Sequence, residues 1–129
     1  MAFNRRPGEW RVDALSGQIM EKMRTAKYTI GQVVKHRLFS FRGVIFDIDP
    51  VFSNTEEWWQ AIPAELRPRK DQPFYHLFAE NAETEYVAYV SEQNLLPDTS
   101  GAPIRHPEVA EVFERDEAGS YRQRHTQLN

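Results

Sequence analysis

Asp47 and Asp49 are the side chains in this 129-residue sequence whose type and spacing come nearest to reaction chemistry. Two carboxylates at i and i+2 leave a strand on one face, roughly 7 Å apart by strand rise, where they could share a proton or a cation. Asp49 precedes Pro50, which is a natural turn start, and no third ligand stands nearby in sequence. The pair therefore reads as structural, and no metal is assigned. The four histidines, His36, His76, His106 and His125, lack metal-ligand spacing. There is no Gly-rich phosphate loop, zinc pattern or nucleophile elbow, and the absence of cysteine removes disulfides, thiolate metal sites and thiol catalysis together. No catalytic residue and no cofactor follow, so the chain reads as a non-enzyme.

The remaining chemistry is binding. Lys35, Arg37 and Arg42 are the bases placed to meet a phosphate backbone. Net charge is only -3 but unevenly spread, because residues 74–98 hold Glu80, Glu83, Glu85, Glu92 and Asp98 with no Lys or Arg. That stretch should repel a polyanion, confining any nucleic-acid surface to the N-terminal third. For protein contact the candidates are aromatic: Trp58, Trp59, Phe39 and Phe41. Phe residues in a polar-flanked loop usually fold back over the mouth of a barrel, and left exposed they would form a binding patch. Two consecutive Trp on a helix diverge by about 100°. One should anchor its loop while the other faces outward, where Trp is a frequent hot spot.

The elements that carry these residues follow from periodicity. Gln32 to His36 and Gly43 to Asp49 read as a hairpin, with Val44, Phe46 and Ile48 alternating onto one face. Residues 51–72 form an excursion in which Ser53 and Glu56 fit a capping box for a short helix through Ile62. Phe74 to Glu80 and Glu85 to Val90 make a second hairpin around the turn Asn81 to Thr84, and Ser91 to Leu96 supplies a last short strand or turn. Within 10–26 the stripe Val12, Leu15, Ile19, Met23 predicts an amphipathic helix, and Pro107 opens another that presents Val109, Val112 and Phe113. From residue 114 the sequence is charged and poor in apolar groups, which predicts a loose end. No apolar run nears the ~20 residues of a membrane span and no signal-peptide core is visible, so a cytoplasmic protein without membrane contact is expected.

Four blocks in order carry a family resemblance: IGQVVKH (30–36), RGVIFDIDP (42–50), PFYHL (73–77) and YVAYVSEQNL (86–95). Together they resemble the heat-shock protein Q family, also described as the hemimethylated-DNA-binding (YccV-like) family, and GAPIRHP (101–107) resembles its longer bacterial members. The resemblance implies a mainly β fold: a small SH3-like β-barrel of about five strands, with short peripheral helices at the N-terminus, in the excursion and near the C-terminus. It divides the chain into an N-terminal extension (1–27), a barrel domain (28–98) and a C-terminal tail (99–129). It further implies a homo-oligomer, with a trimer as the family type, and two unlike roles. One is binding the Lon protease or its substrates to modulate proteolysis. The other is recognition of hemimethylated DNA, with an effect on replication-initiation control. The acidic third quarter and the spare aromatic residues favour the protease adaptor, while three copies of Lys35, Arg37 and Arg42 in an oligomer could still compose a DNA face.

Overall fold

The computed structural model describes residues 26–124. β1 (Val33–His36), β2 (Arg42–Asp49), β3 (Phe74–Glu80), β4 (Glu85–Ser91) and β5 (Leu95–Pro97) form one antiparallel sheet in the order β4-β3-β2-β1-β5. The fold is mainly β, with a second, two-stranded sheet of β6 (Phe113–Arg115) and β7 (Tyr121–Gln123). The large sheet does not close into the expected barrel. A 3-10 turn at Glu92–Asn94 swings the chain from β4 across to β1, so β4 and β5 remain the two edges. Of the N-terminal helix expected over 10–26, all but Ala26 lies outside the described residues, as does His125.

Each face of the sheet carries its own core. On one, Tyr75, Leu77 and Ala79 of β3 alternate inward with Ile45, Val34, Val90 and Leu95, and Tyr28 closes the end by donating its hydroxyl to the Leu95 carbonyl at 3.1 Å. On the other, Val44 and Phe78 pack against Ile104, Val109, Phe113 and Tyr121. The alternation expected for β2 fails at a bulge. Ile45 faces Leu77 but Asp47 faces His76, so Phe46 is the extra residue and the register shifts by one. Val44 and Phe46 keep to one core, whereas Ile48 packs with Ile45 on the other.

The second core explains why the composition past residue 114 misleads. Phe113 and Tyr121 are buried, and the β6–β7 hairpin seats them under β2 and β3. Residues through 124 are thus held where a loose end is expected. Two short helices flank the sheet: α1 (Glu56–Gln60) and α2 (Val109–Val112). The α1 cap is Thr55, whose hydroxyl accepts from the Trp58 amide at 3.0 Å, and not Ser53, whose amide is instead held by the Tyr89 hydroxyl. Helix α1 also ends at Gln60, short of Ile62, and α2 begins two residues beyond Pro107.

One side chain fastens these parts together. Arg42 on β2 donates to Glu80 on β3 at 3.1 Å, to Asp98 and Ser100 after β5 at 3.4 Å each, and to the Ala102 and Pro103 carbonyls at 3.1 and 2.8 Å. Burial works against the charged Asp98 carboxylate, but the Ser100 hydroxyl and amide and Arg42 outweigh it and hold its pKa below the usual 3.8. A depressed carboxylate stabilises the fold above its unfolded pKa, and that contribution disappears as pH falls through the folded value. We therefore expect Arg42→Ala to lower stability by about 2–3 kcal/mol at neutral pH, because it takes the charge partner from the largely buried Asp98 and one of two from Glu80. The loss should shrink below pH 4 as Asp98 becomes neutral. Urea midpoints of both proteins at pH 7 and pH 3 measure the difference, and an equal gap at both would remove Asp98 from the account.

Candidate functional site

A groove of about 500 Å³ opens between loop 37–41, strand β4 and residues 58–68 of the excursion. Its first wall is shaped by His36. The Nδ1 atom accepts from the Leu38 and Phe39 amides at 3.0 and 3.1 Å, so the ring is neutral there and Nε2 carries the proton. This tight turn projects Phe39 outward, 54% exposed and stacked on the His36 ring at 4.7 Å. Phe41 turns inward and meets Tyr86 edge-on at 5.8 Å. The floor is β4, with Tyr86, Ala88 and Tyr89. The far wall is Trp58, edge-on to Tyr89 at 5.4 Å, followed by Ile62, Pro63 and Leu66.

Three of the four aromatic candidates thus meet in one groove: Phe39, Phe41 and Trp58. Trp59 does not join them. Its indole donates to the Pro68 carbonyl at 2.9 Å, and its face is covered by Arg67 at 5.2 Å and Lys70 at 4.4 Å, which pins the excursion to itself. Neither Trp is fully outward as the helix geometry suggests, because both are partly buried. Sequence reading also missed Tyr86 and Leu66 as groove residues. The inward face of Tyr86 was readable from β4 alternation, but the arrival of Leu66 depends on how the excursion folds back.

The three bases are placed unequally. Lys35 is exposed, with no side-chain partner among the described residues. Arg37 sits at the groove mouth, where Nε donates to the Gln93 carbonyl at 3.1 Å and Asn94 Oδ1 at 3.0 Å while its terminal nitrogens have no partner among the described residues. Arg42 is turned into the ion-pair network described above. The same network alters the charge argument. Glu80 is held by Arg42 and Arg105, Glu85 by Arg105 at 3.1 Å, and Asp98 by Arg42. Glu92 accepts from the Tyr75 hydroxyl at 2.8 Å and the Lys27 amide at 2.9 Å. Two arginines from outside the acid-rich stretch, Arg42 and Arg105, thus offset three of its five carboxylates, while Glu92 is held by uncharged groups, so the formal charge overstates repulsion of a polyanion in part.

Asp47 and Asp49 do gain a third group in space. The bulge sets His76 opposite Asp47, and ligand atoms of the three residues lie within 4.8 Å of one another. The geometry is that of a brace. Asp49 Oδ2 is bonded to His76 Nε2 at 3.0 Å and to the Tyr89 hydroxyl at 2.8 Å, and Tyr89 in turn holds the Ser53 amide at 2.8 Å. Burial, reinforced by Asp49, raises the Tyr89 pKa well above its ordinary value and keeps the hydroxyl protonated as a donor. This chain of bonds positions the excursion, and with it Trp58, over β4.

Fold and groove define a small, mainly β domain that presents an aromatic cleft beside unpaired cations. The chain belongs to the YccV-like family, described as hemimethylated DNA-binding protein YccV like, whose model matches residues 26–120. This bears out the resemblance read from the four sequence blocks and extends the matched region beyond 98. Relatives include F-box only protein 21 of Mus musculus, 32% identical over 94 residues, and that of Homo sapiens, 31% identical over 94 residues. In both cases the match covers 72% of this chain, which spans only 14% of the relative's length.

The His36 turn makes the groove sensitive to pH. Burial first, and then the charge of Arg37, lowers the His36 pKa from 6.5. A base with a lowered folded pKa leaves stability intact above 6.5 and costs stability as pH falls from there toward the folded value. Protonation converts Nδ1 to a donor and breaks both amide bonds. Backbone NMR should therefore show the Leu38 and Phe39 amides losing exchange protection as pH falls from 7 to 5, while amides of β3 stay protected. Unchanged loop amides would show that another interaction holds the turn.

Proposed function

We propose that this chain is a non-enzymatic DNA-binding module that distinguishes hemimethylated duplex, bound through the groove mouth and its adjoining bases. The observation that carries this reading is membership in a family described by that activity, over residues 26–120. Two features support it. Lys35 and Arg37 remain free to meet phosphates, and three of the five acids that argued against a DNA surface, Glu80, Glu85 and Asp98, are ion-paired within the fold. The short span of the chain within its long relatives suits a portable recognition unit. The order β4-β3-β2-β1-β5, a meander whose outer strand pairs back to β1, supports an SH3-like description without a closed barrel. A cytoplasmic homo-oligomer, such as a trimer, would multiply Lys35 and Arg37 on one assembly.

Anisotropy titrations of hemimethylated, fully methylated and unmethylated duplexes across a salt series test this reading. Hemimethylated duplex should bind most tightly. Lys35→Ala and Arg37→Ala should each weaken all duplexes alike and reduce the salt slope by about 1, the loss expected for one phosphate contact. Arg42→Ala should lower stability without that change of slope. Absence of salt-dependent binding to any duplex would defeat the proposal.

A second reading rests on the apolar rim. Leu38, Phe39 and Leu66 are exposed together around the groove, an arrangement that also suits a protein partner. We keep Lon protease, or its substrates, as that partner. On this reading Phe39→Ser should reduce, at least fivefold, the concentration effect of the protein on degradation of a Lon substrate, with folding retained. Degradation unaffected by saturating unmodified protein would exclude it.

A further inference from the structure

Resting on the DNA-binding reading, we infer that the aromatic groove receives a methylated base turned out of the duplex, with Arg37 and Arg67 meeting the phosphates beside it. A stacked base shows a protein only its edge, so its methyl group cannot reach a cleft recessed between a loop and an excursion. An extruded base can. The groove volume of about 500 Å³ is ample for a base with its sugar, within the range of small-molecule sites.

Its lining suits that occupant. Phe39, Phe41, Tyr86 and Trp58 supply ring faces and edges on several sides. A flat heterocycle gains stacking from such surfaces whatever its sequence context. The Trp58 indole N–H and the Tyr86 hydroxyl have no hydrogen-bond partner among the described residues, which leaves two donors for ring nitrogens or a carbonyl. Glu65 is the one carboxylate among the lining residues. Charge at the mouth is positive: both terminal nitrogens of Arg37 are free, and Arg67 lends Nε and one terminal nitrogen to the Ile62 and Gln60 carbonyls, leaving the other. Cations at the rim and an apolar, ring-lined interior match a nucleotide, whose charge is on its phosphate and whose base is flat. A methyl group buried among the rings should tighten binding about fourfold.

Hemimethylation leaves the base's identity open between an N6-methyladenine and a 5-methylcytosine, and the test separates them. The full chain is titrated with duplexes carrying either methylated base in one strand, or none, each with 2-aminopurine next to the methylated position as a reporter of unstacking. We expect the methylated duplex to bind about fourfold tighter or better, with reporter fluorescence rising severalfold at saturation. Both signals for one base and not the other support the inference and name the base. Phe39→Ala, at an exposed position, should abolish both while leaving the salt slope intact, and Phe39→Tyr should retain them. A dark reporter at saturation, with hemimethylated duplex still preferred, overturns extrusion and leaves the DNA reading standing. Methyl preference that survives Phe39→Ala also overturns it and returns the groove to a peptide partner. Failure to bind any duplex removes the DNA reading and this inference together.

Discussion

The Arg42 guanidinium is the constraint from which the arrangement of this chain follows. Its position directly opposite Glu80 in the β2–β3 ladder makes the ion pair a marker of register as well as a contact. Charge-assisted bonds to two carboxylates and two carbonyls use the planar fork in a way that a lysine could not reproduce. Next to it, Gly43 lets β2 and β3 approach closely, since a Cβ there would lie 2.5 Å from the Phe78 carbonyl oxygen. Arginine and glycine together hold the strands in one register and draw residues 98–103 back across the sheet edge. The second core depends on that return, because Ile104 and the elements after it reach Val44 and Phe78 only if the chain turns there. Gly31 completes the closure with a φ of +93° and a Cβ direction blocked by the Tyr121 carbonyl at 2.5 Å, so that β1 and the β6–β7 hairpin can touch.

With β3 buried on both faces, the sheet is a rigid platform and recognition is left to its margins. The groove is built where two connections meet an edge strand. Loop 37–41 is fixed by His36 and by the bonds of Arg37 to Gln93 and Asn94, while the excursion is fixed by the Asp49–Tyr89–Ser53 chain and by the Lys70–Glu56 ion pair at 2.5 Å. Side chains from three separate parts of the sequence are thereby held in one cleft, and Phe41, Tyr86 and Ala88 also pack against the first core. Of the two carboxylates that first suggested chemistry, Asp49 contributes by bracing this cleft, while Asp47 accepts from the neighbouring Ile48 amide.

What was legible in the sequence is what depends on neighbours along the chain. Alternation found both hairpins, and the ordered blocks found the family. The bulge at Phe46 was invisible because its cause is the pairing of β2 with β3, and it sends Ile48 to the opposite core from the one alternation assigns. Ser53 was preferred as a cap because Glu56 stands three residues on, yet Tyr89, thirty-six residues away, already holds the Ser53 amide and leaves the capping to Thr55. Phe113 was read on the apolar face of the helix with Val109 and Val112, but the helix ends at Val112 and Phe113 opens β6. Tyr121 was passed over because one aromatic residue in a charged segment looks too little to pack, when the two complete a core begun by Val44 and Phe78. Arg42 stood beside Lys35 and Arg37 as a phosphate candidate since sequence shows charge but not its partner.

That last distinction also governs the choice between roles. A charge counted along the chain repels DNA only if it is still unpaired in the fold, and Glu80, Glu85 and Asp98 are not. Those three carboxylates therefore weigh less against a DNA partner, while Lys35 and Arg37 remain free to meet one. Phosphate contacts, however, are blind to methylation, because cations meet a backbone that is the same in every duplex. Discrimination of methylated from unmethylated DNA has to reside in a surface that registers a methyl group, and that surface must be apolar and shaped. Cations at a rim and rings within a groove divide the two tasks between affinity and selectivity. A domain with only the basic residues would bind DNA without reading it, and one with only the groove would have little to hold the duplex while a base is presented.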